Sequence, residues 1–271
     1  LLWAFDSFTV PLVPLHLNHR MTQTASNPAA PAIRFRAVTK RFGTALSLDS
    51  VDFDVPTGSL FGLVGANGAG KTTLLRCLLD ATRPDAGAIL VLDVRSTLSS
   101  ARRSIAYLPE RFNAPFYATG SDYLSLMARL YGHSVDADAI ATVLGSLELD
   151  HSALKKPVRA FSKGMTQKLG LAACLLSKRP ILVLDEPASG LDPQARARLK
   201  AVLTGHHRAG GTILLTSHAL ADVDEMCSHM AILHAGALRF SGSPAALRAS
   251  EDEESLEKAF LRRIEHAAAP E

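Results

Sequence analysis

The sequence predicts an α/β fold, with a mostly parallel sheet, an antiparallel β layer beside it and a helical insertion. Three observations predict it. An apolar run, Leu60-Phe61-Gly62-Leu63-Val64, passes through the glycine-rich stretch Gly65-Ala66-Asn67-Gly68-Ala69-Gly70-Lys71-Thr72-Thr73 into a helical pattern at Leu74-Leu75-Arg76-Cys77-Leu78-Leu79. Two more continuous apolar runs, at 181–184 and 212–215, read as strands covered on both faces, the habit of parallel sheets. Near the start, Ile33, Phe35 and Ala37 alternate with arginines, and Val51, Phe53 and Val55 alternate with aspartates, as half-buried strands do.

The elements follow in order. The first alternating strand ends in a turn at Lys40-Arg41-Phe42-Gly43, and the second stops at Pro56-Thr57-Gly58. After the glycine-rich turn and its helix, Pro84-Asp85-Ala86-Gly87 introduces a strand at 89–92, a short polar helix at 99–103 and a strand at 105–108. From Ala118 to Pro157 the pattern is helical. Leu124, Met127, Ala128, Leu130 and Tyr131 share one face, Gly132 stops it, and Ile140, Val143, Leu144 and Leu147 share another. Ser162 is a good N-cap for a helix running through Leu176. Asp192-Pro193 opens a further helix, with proline at the first helical position, and Gly210-Gly211 closes it. A hairpin across Ala235-Gly236, a short helix from Ser243-Pro244, an acidic patch at 251–254 and an amphipathic helix carrying Leu256, Ala259, Phe260 and Ile264 complete the chain.

The totals bound the function. The chain has 271 residues, 47% of them hydrophobic, and a formal charge of +3. That length suits one large domain, or one domain with a subdomain, and is enough to bury a sizeable core. The mild, spread charge carries no nucleic-acid footprint. Cys77, Cys174 and Cys227 share no metal spacing and sit in apolar patterns, so they read as buried thiols in a reducing compartment. No run reaches membrane-spanning length. The first residues, Leu1-Leu2-Trp3-Ala4-Phe5, lack an early basic residue and are followed by Asp6, Pro11 and Pro14, unlike a signal peptide. Met21 is read as the initiator, and residues 1–20 as upstream over-translation.

The glycine-rich stretch has the pattern G-x-x-x-x-G-K-[ST] in its required context, strand before and helix after. Its backbone N–H groups and the helix N-terminus favour phosphate. Lys71 brings a full charge to the outer phosphates, and the Thr72 hydroxyl suits Mg²⁺. The chain therefore binds a nucleoside triphosphate. Asp185 and Glu186 end a parallel strand, where ligands bind in open α/β sheets. The first can hold Mg²⁺ through water, and the second can orient or deprotonate an attacking water; the alternative is a purely structural cap on the next helix. His218 follows another apolar strand and can reach a γ-phosphate or the attacking water, although ten histidines weaken any single choice. Phe42 either stacks on an adenine or plugs the sheet edge.

Taken together these residues resemble the ATP-binding subunit of an ABC transporter, over about residues 33–247. The glycine-rich stretch resembles Walker A, and residues 181–186 resemble Walker B with its catalytic glutamate. Phe161-Ser162-Lys163-Gly164-Met165 resembles the family's signature, usually Leu-Ser-Gly-Gly-Gln. Ser189-Gly190-Leu191-Asp192 resembles the D-loop, His218 the switch histidine and Phe42 the adenine-stacking aromatic. Lys163 and Met165 depart from the usual signature, and Glu110 stands where the family has the glutamine of the Q-loop.

The resemblance implies a P-loop ATPase core at 32–247, with a helical subdomain at about 110–160, a leader at 1–31 and a helical tail at 248–271. It implies ATP and Mg²⁺ as ligands. Lys71, Glu186 and His218 would be catalytic. Phe42, Gly65 to Thr73, Ser162 to Met165 and Asp192 would bind nucleotide, and Thr72, Glu110 and Asp185 would serve the metal. The signature would act in trans, across a dimer expected to be of identical chains. A separate transmembrane permease would be driven towards export, with the chain peripheral on the cytoplasmic face of the inner or plasma membrane and no nucleic acid bound. The exposed loop from Arg111 to Tyr117, with Phe112 and Phe116, would touch the permease. The alternatives are a soluble ABC-type ATPase acting on nucleic acid or ribosomes, and a module that senses ATP with little hydrolysis.

Overall fold

The computed structural model describes residues 30–134 and 136–266. Initiation at Met21 and nearly all of the expected leader lie outside the described residues, as do residues 267–271 of the expected tail. In chain order the strands are β1 Ile33–Phe42, β2 Ala45–Val55, β3 Leu60–Val64, β4 Ala86–Val91, β5 Val94–Arg95, β6 Ile105–Leu108, β7 Ile181–Leu184, β8 Thr212–Ser217, β9 His229–His234 and β10 Ala237–Gly242. The helices are α1 Lys71–Leu78, α2 Ser99–Arg102, α3 Gly120–Leu130, α4 Ala137–Ser146, α5 Lys163–Leu176, α6 Pro193–Arg208, α7 Leu220–Met226, α8 Pro244–Glu251 and α9 Leu256–His266.

Two sheets form the frame. The larger runs β10-β9-β3-β8-β7-β6, parallel throughout except for β10. The smaller is antiparallel, β2-β1-β4-β5. β3, β7 and β8 are buried at every position, as their continuous apolar sequences require. One core layer lies between the two sheets, with α1. There the rings of Phe35 and Phe53 stack with centroids 4.6 Å apart, and Phe53 stacks on Phe61 of β3 at 5.5 Å. Such pairs add about 0.5–1.5 kcal/mol each beyond burial. The second core layer lies on the other face of the larger sheet, under the helices.

The first strand departs from simple alternation. Phe35 pairs with Phe53 and Val38 with Val51, so two residues of β1 oppose one of β2. This is a β-bulge. Ala37 takes φ 48° and is exposed, and its N–H finds the Asp52 carboxylate at 3.1 Å. Val38 takes the inward place expected for Ala37. The strand also runs on through Phe42, so the turn is Gly43-Thr44.

The helical insertion is held by its caps. Thr119 and Asp122 form a capping box on α3, and Asp136 caps α4. Leu124, Ala128 and Leu144 are buried and Tyr131 packs against them, but Leu130 is 69% exposed, off the face that 124, 128 and 131 share. Glu148 reaches from the insertion to the Arg198 guanidinium on α6 at 2.5 Å. Phe112 was expected to be exposed on the loop from Arg111 to Tyr117, but its side chain turns inward. Its ring packs on Tyr123, centroids 5.4 Å apart, and against α5 at Gly170, where an added Cβ would sit 2.8 Å from it. Phe116 and Tyr117 are the exposed aromatics of that loop.

The carboxyl-terminal helices join the core. α8 crosses the boundary expected at residue 247, and Leu256 and Ala259 of α9 are buried in the helical layer. The acidic stretch at 251–254 is no open patch. Glu251 is buried against Arg263 at 2.6 Å, and Glu253 pairs with Arg262 at 2.8 Å. All three cysteines are buried free thiols, and burial pushes Cys174 and Cys227 up to about 12. No helix among the described residues is long and apolar enough to cross a membrane.

Candidate functional site

The site gathers at the carboxyl ends of β3, β7 and β8, which are neighbours in the sheet. β3 delivers the loop 65–70, and α1 starts directly after it. Gly70 is the N-cap at φ 106°, a conformation that side-chain-bearing residues rarely adopt. No side chain caps α1 and no acidic residue lies in its first turn, so its N-terminal N–H groups stay free for an anion. The loop is pressed against β9. A Cβ on Gly65 would stand 2.2 Å from the Leu233 carbonyl oxygen.

Lys71 is 7% exposed. Its ammonium donates to the carbonyls of Gly65 at 2.6 Å and Ala66 at 3.3 Å, and lies 3.9 Å from Glu186. Burial pulls its pKa down, while Glu186, Asp185 and Glu110 act against that pull. Thr72 donates to Asp185 Oδ2 at 3.2 Å, and Thr73 accepts from Ser47 of β2 at 3.0 Å. Asp185 is 2% exposed. Burial raises its pKa, and the hydroxyls of Thr216 and Thr72 restrain the rise. Glu186 turns out of the strand at φ 49°, and its carboxylate lies 2.9 Å from His218 Nδ1.

Lys71, Thr72, Asp185, Glu186 and His218 are thus brought together, and Glu110 is near enough for its charge to act on Asp185 and Lys71. Phe42 is 52% exposed, so it plugs no sheet edge; Lys40 lies over its ring at 5.4 Å. Ser162 caps α5 through the Met165 N–H at 3.2 Å, and Asp192 caps α6 through the Ala195 N–H at 2.8 Å. Lys163 lies along Gly190, where an added Cβ would meet it at 2.7 Å. Among the described residues, no side-chain hydrogen bond or ion pair joins Ser162–Met165 to the phosphate-facing loop of the same chain.

The polar set fits a divalent cation shared with a substrate. A buried carboxylate with a hydroxyl against it is a hard oxygen donor pair. Among the described residues no group of three or more His, Cys, Asp or Glu could hold a metal alone. Phosphate oxygens would have to complete the shell, the habit of Mg²⁺. Sequence reasoning missed Thr216, Ser47 and Leu233. Thr216 had a faint signal, a hydroxyl at the end of an apolar strand two residues before His218. The Leu233 contribution is a carbonyl, which no residue type announces.

A parallel sheet that aims a glycine-rich loop, a buried lysine and a strand-terminal carboxylate pair at one point defines a phosphate-loop nucleoside triphosphatase. A family profile described as ABC transporter matches residues 48–189. The chain is 38% identical over 228 residues to the Nod factor export ATP-binding protein I of Burkholderia lata, covering 83% of this chain and 74% of that one. A solved ATP-binding subunit of an ABC transporter is 28% identical, with TM-score 0.79 and coverage of 86% and 99%. A dimeric ATP-binding cassette in a post-hydrolysis state with ADP and phosphate, 19% identical, shares the fold at TM-score 0.71, with coverage of 78% and 98%. The chain belongs to the ABC transporter family. It is an ATP-binding subunit of that family and an ATPase.

Proposed function

We propose that the chain energises export, with ATP held between two copies of it and a membrane-spanning permease as the part that moves. The observation that carries the reading is the polar cluster in which Thr72 meets Asp185 at 3.2 Å and His218 meets Glu186 at 2.9 Å, beside buried Lys71. Export as the direction rests on the role printed for the Burkholderia lata relative. The dimer rests on the cassette whose solved form is dimeric, and on the exposed N-terminus of α5 at Ser162 and Lys163, which would meet the partner copy's ATP. The permease would hold the pair at the cytoplasmic face of the membrane. Phe116 and Tyr117, both exposed, are the contact assigned to it.

In this reading the N–H groups of residues 65–73 and the Lys71 ammonium take the phosphates, and Phe42 stacks on the adenine. Ser162, Lys163, Gly164, Met165 and Asp192 of the partner copy close the site. Thr72, Asp185 and Glu110 would hold Mg²⁺, which would supply charge neutralisation for the phosphates. Glu186 accepts a proton from water as its oxygen bonds to the γ-phosphorus. The bond from that phosphorus to the β–γ bridging oxygen breaks, and ADP and phosphate leave. His218 holds the Glu186 carboxylate in place through their hydrogen bond.

Replacing Glu186 with Gln removes the proton acceptor and keeps the shape. Turnover should fall about 10²–10⁴-fold, with ATP still bound; unchanged turnover defeats the assignment. Pull-down of the tagged chain from detergent-solubilised membranes should bring a polytopic membrane protein in stoichiometric amount. Recovery with ribosomes or DNA instead would move the function to a soluble ATPase.

A further inference from the structure

We infer that Thr216 is a positioning residue of ATP hydrolysis, one hydroxyl that locks the Asp185 side chain and the Glu186 main chain to each other. The inference rests on Glu186 being the proton acceptor proposed above. Thr216 lies near the end of β8 and is fully buried. A hydroxyl there is tolerated only when hydrogen-bonded. Its Oγ1 donates to Asp185 Oδ1 at 2.7 Å and accepts the Glu186 N–H at 2.8 Å. Both capacities are spent on two consecutive acidic residues.

The register explains why this position does it. Leu184 of β7 pairs with Leu215 of β8, so the next step sets Asp185 beside Thr216, just where β7 ends. Glu186 must then leave the strand line. It does so at φ 49°, a conformation a non-glycine residue keeps only when its surroundings over-determine it. Two bonds supply that constraint. The Glu186 N–H is held by Thr216, and its carbonyl accepts the Ser189 N–H at 2.9 Å. The turned backbone carries the carboxylate to His218 and to within 3.9 Å of Lys71. Without the hydroxyl, the Glu186 N–H has no acceptor and the turn loses one of its two anchors. Asp185 keeps its second hydroxyl, Thr72, and Thr216 makes no hydrogen bond to the loop that takes the phosphates. The loss therefore falls on the chemical step rather than on nucleotide capture.

The test is steady-state ATPase kinetics of the full chain with Mg-ATP, comparing Thr216→Val, Thr216→Ser, Glu186→Gln and the parent. Valine keeps the shape and loses the hydroxyl, while serine keeps the hydroxyl and loses the methyl. A carboxylate displaced by about 1 Å costs on the order of 10²-fold. The valine variant should therefore lose about 10–100-fold in kcat with KM within about threefold, and the serine variant should stay within about threefold of the parent. Valine and serine behaving alike, both active or both impaired, overturns the inference, as does a loss confined to KM. If valine prevents folding, Thr216→Ala is read by the same comparison. Full turnover in Glu186→Gln would instead bring down the role of Glu186 itself, whatever position 216 does.

Discussion

Replacing Gly65 with alanine tests how tightly the phosphate-facing loop is wedged. Gly65 is not in the left-handed region, so alanine meets no backbone strain there. The obstacle is space. The new Cβ would lie 2.2 Å from the Leu233 carbonyl oxygen and 3.0 Å from the Ala69 Cβ. An ordinary contact to that oxygen begins near 3.4 Å, so loop and strand end must part by about 1 Å. The oxygen belongs to the main chain of β9, a strand paired with β3, and no rotamer change relieves it. Overpacking of this kind costs about 1–3 kcal/mol. If the loop yields rather than the strand, that energy is drawn from the geometry that grips phosphate, and ATP should bind about 5–150-fold more weakly. Titration calorimetry with ATP reads this, with melting temperature measured alongside. Gly205→Ala is the internal control. It lies within α6 with open space around it, and should raise stability by about 0.5–1 kcal/mol and leave ATP affinity alone. A Gly65→Ala protein with parental affinity and parental melting would refute the wedge.

Two further outcomes separate surface from core. Phe116→Ser with Tyr117→Ser should leave melting and ATP turnover unchanged while abolishing co-purification of the membrane partner. Phe112→Ser, which empties a ring site between Tyr123 and α5, should lower stability by about 3 kcal/mol; thermal or urea unfolding distinguishes the two. In the native protein at pH 8, Cys174 and Cys227 should resist a thiol reagent, because burial pushes both up to about 12 and leaves on the order of one thiolate in 10⁴. In denaturant all three thiols should react. Rapid labelling of Cys174 or Cys227 in the native chain would show that the helical layer opens.

The parts of the site legible in sequence are those where a residue type and a local pattern carry the chemistry together. Lys71 and Thr72 stand at a helix start after a glycine-rich turn, and Asp185 and Glu186 end an apolar strand, so their positions could be read at once. The bulge in β1 was not legible, because Ala37 looks like one more inward residue until Asp52 captures its N–H. Glu251 was misjudged for a related reason. Four acidic or polar positions in a row read as solvent-facing, yet Arg263 arrives from the next helix and lets one of them be buried. Phe112 and Phe116 are four residues apart in one loop, and only the bare surface of α5 at Gly170 decides which of them goes inside. What escaped was always set by a partner distant in sequence.

The position of β3 in the larger sheet also orders events in time. Both of its neighbours, β8 and β9, come from the last quarter of the chain, and Ser228 that meets Leu60 lies 168 residues later. A ribosome adding roughly 5–20 residues per second needs about 8–35 s to cover that distance. For most of that interval the nascent chain holds the glycine-rich loop with no sheet on either side of its strand, and the Leu233 carbonyl that props Gly65 has not been made. A chain arrested before β9 would carry every residue from 65 to 73 without the Leu233 carbonyl that props Gly65.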